Sequence, residues 1–158
     1  MKPLHYIFSL LFIALTACIN EPVNSNIPYK RVNFLIDTSL SGPDYKLHDG
    51  MGVMTRIYTE QRPASLSQKG SYGVSGVIVV RAIDNYLRAF DLCCPYEAEA
   101  QYALQNTGEG DFFLHCPHCG SEFEVGNGTG RACKGPATQP LKYYLVEHRG
   151  GERYHIHN

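Results

Sequence analysis

Six cysteines in a chain of 158 residues constrain this sequence more than any other feature. Five of them lie beyond residue 90, in the pair Cys93-Cys94, in the segment Cys116-Pro117-His118-Cys119-Gly120 and at Cys133. Two thiolates separated by two residues point to one centre, and Gly120 permits the turn that directs backbone N–H groups at the sulfurs. The segment therefore predicts half of a metal or cluster site, which the Cys93-Cys94 pair has to complete.

Only one member of the Cys93-Cys94 pair is expected to reach a shared centre, because adjacent side chains in extended backbone point to opposite faces. We take Cys94, which precedes Pro95, as that member. Cys133 could pair with Cys93, with Cys119 or with nothing. Burial as small apolar residues is the alternative for Cys93 and Cys133.

The sixth cysteine belongs to an export signal. Residues 1–17 combine the positive charge of Lys2 with an apolar run from Tyr6 to Leu15 that is too short to span a bilayer. The ending Leu15-Thr16-Ala17-Cys18 resembles a bacterial lipobox, which implies cleavage before Cys18 and acylation of its thiol, for example with palmitate. We expect a lipid-anchored membrane protein of the bacterial cell envelope, since two acyl signals give firm attachment. The alternative is a buried N-terminal helix.

Residues 18–30 are polar and broken by Pro22 and Pro28, which predicts a tether between the lipid and the domain. An irregular segment docked on the domain is the alternative. Residues 31–158 have the length of one domain. The formal charge of −1, with 14 basic against 15 acidic residues, gives no basic field and excludes a nucleic-acid partner.

The rest of the chain reads as short strands and turns. Runs of β-branched or aromatic residues bounded by Gly, Pro, Asn or Asp predict strands at 31–37, 76–82, 86–92, 111–115, 121–125, 142–147 and 153–157. Residues 38–73 predict loops with one or two short strands, and Gly126-Asn127-Gly128-Thr129-Gly130 predicts a turn. No segment beyond residue 30 holds a helical apolar period over eleven residues. The expected class is all-β, built from small sheets.

From about Gly76 to the C-terminus the chain resembles the Rieske iron–sulfur domain. The matching pieces are Ala89-Phe90-Asp91-Leu92-Cys93-Cys94-Pro95-Tyr96, Cys116-Pro117-His118-Cys119-Gly120-Ser121-Glu122-Phe123, Gly130, Gly135-Pro136-Ala137 and Pro140-Leu141-Lys142-Tyr143-Tyr144. The resemblance implies stacked antiparallel β-sheets with a small two-loop subdomain that includes Tyr96, Gly120 and Ser121. In the family these loops bind a [2Fe–2S] cluster through two Cys and two His.

Both histidine positions of that pattern are replaced. Cys94 and Cys116 match the two cysteine ligands, but the histidine positions hold Tyr96 and Cys119. A tyrosine is a poor ligand for the outer iron, because its hydroxyl is neutral near pH 7. An added thiolate at Cys119 would lower the reduction potential of any cluster. The sequence therefore argues against a standard Rieske centre.

Three occupants remain open for these thiols. The first is zinc, with a fourth ligand from Cys93, His118 or His115. The second is a disulfide that links the two loops through Cys94, and the third is an atypical [2Fe–2S] cluster. Export argues against the cluster, because a folded holoprotein ordinarily needs a twin-arginine signal and the leader has only Lys2 among its charges.

Two function classes follow from these occupants. A clusterless, Rieske-like lipoprotein with a structural or binding role is one, and an anchored electron-transfer protein that docks on a redox or envelope partner is the other. No Ser–His–Asp spacing, phosphate loop or carboxylate pair indicates an enzyme. His155 and His157 would share one face of a strand and could bind metal, but we interpret them as a solvated strand end.

Overall fold

The computed structural model describes residues 26–67, 69–106 and 112–158, which contain ten strands and one short 3-10 helix at Tyr45–Leu47. The strands are β1 Val32–Asp37, β2 Met54–Tyr58, β3 Ser71–Tyr72, β4 Val77–Arg81, β5 Leu87–Asp91, β6 Phe113–His115, β7 Glu122–Glu124, β8 Arg131–Lys134, β9 Tyr143–His148 and β10 Arg153–His157. All of the strand pairs in these ranges are antiparallel. The predicted all-β class with antiparallel sheets is therefore confirmed.

Seven of the strands form one sheet in the order β2-β4-β5-β9-β10-β1-β3. One core cluster draws side chains from every strand of this sheet, from Tyr58 on β2 to Tyr72 on β3. The two ends of a flat seven-stranded sheet could not share a core, so the sheet curls around these side chains. Phe34 of β1 contacts both end tyrosines, with ring centroids 5.0 Å from Tyr58 and 4.9 Å from Tyr72.

The remaining strands form a small sheet in the order β6-β7-β8. It covers the outer face of the large sheet at β4, and every residue of β4 is buried as a result. Val77 and Val79 of β4 enter the first core, while Ile78 and Val80 enter a second core with Leu114 and Phe123 of the small sheet. Alternate side chains of a strand point to opposite faces, so one strand supplies both cores. This explains the continuous apolar run Val77–Val80.

The strands expected from the sequence are present, with small differences at their ends. Residues 38–73 contain the short strands β2 and β3, as predicted. Strand β8 was not predicted, because Arg131–Lys134 offers no buried residue and pairs on one side only, with β7. The glycine-rich turn connects β7 to β8. Within the described part of the chain no helix has the length and apolar character that crossing a membrane requires.

The predicted signal peptide and the predicted lipidation site Cys18 lie outside the described residues. The last part of the segment interpreted as a tether is described and lies against the domain. Ile27 is buried, the Asn26 N–H group donates to the Gln139 side chain at 3.4 Å, and the Pro28 carbonyl accepts from Lys142 Nζ at 2.9 Å. The domain surface therefore begins to hold the chain before β1.

Candidate metal centre

Two loops bring three thiols together at one edge of the second core. Cys94 follows β5, and Cys116 and Cys119 lie between β6 and β7. The three Sγ atoms all lie within 4.8 Å of one another, and those of Cys94 and Cys119 are 3.7 Å apart. Cys94 and Cys116 are buried, whereas Cys119 is partly exposed. We call Cys94, Cys116 and Cys119 the thiol site.

The loop that carries Cys116 and Cys119 is a tight turn. The Gly120 N–H group donates to the Cys116 carbonyl at 3.0 Å, and the Cys116 N–H group donates to the Ser121 carbonyl at 2.8 Å. Gly120 has a φ of +71°, a left-handed conformation that favours glycine. The turn brings the two sulfurs of the loop within 4.8 Å of each other.

The first loop is anchored through a buried carboxylate. Asp91, at the end of β5, accepts hydrogen bonds from the Tyr144 hydroxyl at 2.5 Å and from the N–H groups of Val74, Ser75 and Cys93 at 2.8, 3.3 and 2.7 Å. The side chain is fully buried. These bonds fix the backbone immediately before Cys94. Sequence reasoning did not find this residue, because its partners come from two other segments.

Ser121 joins the thiol site to the segment Gly135-Pro136-Ala137. The Cys119 Sγ atom lies 3.1 Å from the Ser121 hydroxyl oxygen, which accepts the Ala137 N–H group at 3.1 Å. A Cβ atom at Gly135 would lie 2.5 Å from the Ser121 Cα atom, so only glycine allows the two segments this close. With its oxygen occupied by the N–H group of Ala137, the Ser121 hydroxyl is free to donate to a thiolate at Cys119.

The thiols differ in how easily they ionise. Burial raises the pKa of Cys94 to about 12, although the backbone N–H groups of Glu97 and Tyr96 act against it. Burial is the largest influence on the pKa of Cys119 and raises it, but hydrogen bonds with Ser121, Cys116 and Cys94 together outweigh burial, so the pKa lies below its ordinary value. A bound cation would supply the charge that keeps Cys94 deprotonated, since metal-bound thiols lose their protons.

The other candidate ligands do not join the thiol site. Cys93 is buried with a pKa raised to about 11 by burial, and its sulfur lies 3.6 Å from the Glu99 carbonyl oxygen. His118 is turned outward, with Nδ1 2.9 Å from a Glu97 carboxylate oxygen and its ring stacked on Tyr102 at 4.1 Å. Among the described residues, no fourth His, Cys, Asp or Glu, His115 included, completes the group.

Two positions of the sequence analysis remain, Cys133 and Tyr96. Cys133 is exposed on β8, with its sulfur 3.3 Å from the Glu122 carbonyl oxygen, so its interpretation as a buried apolar residue is wrong. Tyr96 is 56% exposed and lines a cavity of about 220 Å³ with Pro95, Ala137 and Thr138 beside the two loops. The five cysteines of the described residues are all free.

Comparisons with known proteins found only a distant similarity to solved structures. No family model and no curated protein matches the chain. Among solved structures, a chain from the complex of reduced oxygenase and oxidized ferredoxin in carbazole 1,9a-dioxygenase aligns with 69% of this chain and 94% of its own. The identity is 23% and the TM-score is 0.43. The strands and the thiol site define the class of this protein, which is an all-β protein with a candidate metal centre of three thiols.

Proposed function

We propose that this chain is a lipid-anchored, Rieske-like envelope protein whose two loops hold one zinc ion on Cys94, Cys116 and Cys119. Its proposed role is to bind a small molecule. The observation that carries the proposal is the convergence of three thiols from two loops within 4.8 Å. Each loop also directs backbone N–H groups at a sulfur, those of Tyr96 and Glu97 at Cys94 and that of Ser121 at Cys119. Such donors stabilise thiolates rather than thiols.

The spacing of the sulfurs favours a single ion. Zinc binds thiolates at about 2.3 Å in tetrahedral geometry, which places two sulfurs about 3.8 Å apart. The Cys94 and Cys119 sulfurs lie 3.7 Å apart, and Cys116 needs only a small movement to join them. Thiolates on the two different irons of a [2Fe–2S] cluster lie farther apart than thiolates that share one metal. The three sulfurs therefore fit a mononuclear site better than a binuclear one.

The residues do not fit a Rieske cluster. Such a cluster needs two imidazoles on its outer iron. Tyr96 stands at one of those positions and is mostly exposed, and Cys119 stands at the other. His118, which directly precedes Cys119, is paired with Glu97 instead. A standard Rieske centre is therefore not supported, and the electron-transfer alternative requires an atypical cluster, which the spacing of the sulfurs fits less well than zinc.

A three-thiolate zinc site has one position left for a further ligand. Structural zinc sites are closed by four protein ligands, whereas sites that act on small molecules keep a position open. Among the described residues, no fourth His, Cys, Asp or Glu brings a ligand atom into the group. A zinc ion on the thiol site would therefore keep one coordination position open. The adjacent cavity beside Pro95 and Tyr96 offers space for a small molecule. These features support a binding role over a purely structural one.

The membrane part of the proposal rests on the leader. Lys2, the apolar run and the lipobox-like Leu15-Thr16-Ala17-Cys18 support export and lipidation at Cys18. A Cys18→Ser variant should lose its lipid and leave the membrane fraction. Retention of that variant in the membrane would contradict the anchor without affecting the thiol site.

The metal is tested on the full chain, extracted from membranes and purified without oxygen. Elemental analysis, acid-labile sulfide and free-thiol counts should give one zinc per chain that survives dialysis against a mild chelator, with no iron or sulfide. Cys116→Ser should lose the zinc, and the matched control Cys133→Ser should keep it. Two irons with labile sulfide would overturn the proposal in favour of electron transfer. A Cys94–Cys119 disulfide without metal would overturn the zinc site.

A further inference from the structure

A second group of possible metal ligands lies on the hairpin of β9 and β10, away from the thiol loops. His155 and His157 occupy the same face of β10, and Glu147 of β9 stands directly opposite His155 in the ladder. One ligand atom from each of these residues lies within 4.8 Å of the other two. The residues are 20%, 28% and 48% exposed for His155, His157 and Glu147, so an ion could enter from solvent. We call them the hairpin site.

The distances in the hairpin site are close to those of a coordination sphere. A Glu147 carboxylate oxygen lies 3.5 Å from His157 Nε2 and 4.0 Å from His155 Nδ1. A metal with bonds of about 2.0–2.1 Å at tetrahedral angles places its ligand atoms about 3.4 Å apart. Closing the group around one ion therefore requires a small movement of the Glu147 carboxylate and a rotation of one of the two stacked imidazoles.

A third strand fixes the orientation of His155. Its Nε2 atom lies 2.7 Å from the Asn33 side-chain oxygen of β1. A carbonyl oxygen only accepts, so Nε2 carries the ring proton and Nδ1 keeps its lone pair. The rings of His155 and His157 stack at 4.6 Å with an angle of 24° between their planes. A hydrogen bond to the distal nitrogen of an imidazole is the usual partner of a metal-binding histidine.

A cation already contacts two residues of the group. The Arg149 guanidinium lies 2.9 Å from the Glu147 carboxylate and 3.1 Å from His155 Nδ1, so it donates to two of the three ligand atoms. The Glu147 carboxylate oxygen and His155 Nδ1 are therefore hydrogen-bond acceptors in this arrangement. Each has the free lone pair that a metal ligand needs. Arg149 is half-exposed and lines a cavity of about 480 Å³ next to His155. This cavity gives the guanidinium space to swing away.

We propose that Glu147, His155 and His157 bind a divalent transition-metal ion of the zinc class, which displaces the Arg149 guanidinium. Two imidazoles and a carboxylate suit zinc, nickel and copper, whereas magnesium and calcium prefer oxygen ligands. Three protein ligands leave further positions to water or to another ligand. This assignment is independent of the thiol site.

Cobalt(II) separates the two sites on the intact chain, because thiolate ligands give sulfur-to-cobalt charge-transfer absorption and imidazole and carboxylate ligands do not. Titration should show two equivalents, one with this absorption and one without. His157→Ala should remove the second, with affinity lower by about tenfold or more, since even outer partners of a metal ligand contribute about that much. His148→Ala, a matched histidine on β9, should keep both. Arg149→Ala should bind the second ion several-fold more tightly.

Two results would overturn the hairpin site. One is a single equivalent in the wild-type chain, with thiolate absorption. The other is a second equivalent that His157→Ala leaves unchanged. Cys94→Ser reports on the thiol site alone: it should remove the absorbing equivalent and leave the other. Saturation of the second equivalent by magnesium at the same concentration as cobalt would also contradict the proposed ligand class.

Discussion

The two hydrophobic cores of this molecule are enclosed in different ways. All seven strands of the large sheet surround the first core, which consists of aliphatic and aromatic side chains. The second core lies between β4 and β5 on one side and the small sheet on the other, and it includes Cys94 and Cys116, with Cys119 packed against it. A metal on the thiol site would thus stabilise the second core and leave the first unaffected. Strand pairing and burial suffice for one region, while the other contains three thiols that we propose hold an ion.

Asp91 connects the two regions. Its carboxylate accepts from Tyr144, which belongs to the first core, and from the N–H group of Cys93 beside the thiol site. It lies at the end of β5, whose Ala89 enters one core and whose Phe90 enters the other. Substitutions in each region show how far the stability of the first core and the proposed zinc binding beside the second depend on each other.

The largest expected effect comes from Phe34→Ala in the first core. Phe34 is 1% exposed and contacts Tyr58 and Tyr72, so its truncation should lower the free energy of unfolding by about 3–5 kcal/mol. Urea denaturation measures the loss, with the exposed Ile83→Ala as a control that should change little. The folded variant should keep its zinc. Zinc loss from folded Phe34→Ala would show that the two cores are coupled.

Asp91→Asn should affect both regions. The amide is close in size to the carboxylate, but its NH₂ group cannot accept the bonds from Tyr144 and Val74. We expect a loss of about 2–4 kcal/mol, because two buried donors lose their acceptor. Zinc should also dissociate faster in a chelator competition. Asp84→Asn, which alters an exposed pair with Arg88, is the control. Unchanged zinc dissociation would show that Asp91 serves the first core only.

The sequence predicted the fold where a strand has a buried face. Alternation of apolar residues marked β1 at Val32, Phe34 and Ile36, and the run Val77–Val80 marked a strand with two buried faces. Strand β8 has no such face and escaped detection. Its position depends on pairing with β7, which no local pattern records.

For the site, local spacing found the thiols but not their surroundings. The Cys116–Cys119 spacing indicated one centre, and backbone alternation allowed one of the Cys93-Cys94 pair to reach it. Cys94 was chosen as the residue before Pro95, and the structure brings these three sulfurs together. Asp91 needs Tyr144, 53 residues away, before its role is visible. His118 looked available as a ligand because its partners Glu97 and Tyr102 approach only in three dimensions.

Ser121→Ala tests the contact between the thiol site and the segment Gly135-Pro136-Ala137. The change leaves the Ala137 N–H group without its acceptor and removes the hydroxyl beside Cys119. The free energy of unfolding should fall by about 1–3 kcal/mol. Hydrogen exchange should show the loss of protection in the small sheet, with β1 and β10 unchanged. Ser65→Ala, at an exposed position away from the thiol site, is the control. An equal loss of hydrogen-exchange protection in both sheets would contradict the independence of the two cores.

The smallest effect is expected for His118→Ala. The His118–Glu97 pair is largely exposed on the histidine side, so its loss should cost less than about 1 kcal/mol. Zinc content should not change, whereas Cys119→Ser should lose the metal. Metal analysis of the two variants side by side checks this. Loss of zinc from His118→Ala would make His118 the fourth ligand and would close the open position.

Zinc X-ray absorption on the full chain identifies the ligands of the proposed zinc ion. It is measured with one equivalent of zinc on the His157→Ala variant, so that only the thiol site is loaded. Three sulfurs at about 2.3 Å and one oxygen or nitrogen at about 2.0 Å are expected around each zinc. A shell of four sulfurs, or a shell without sulfur, would contradict it.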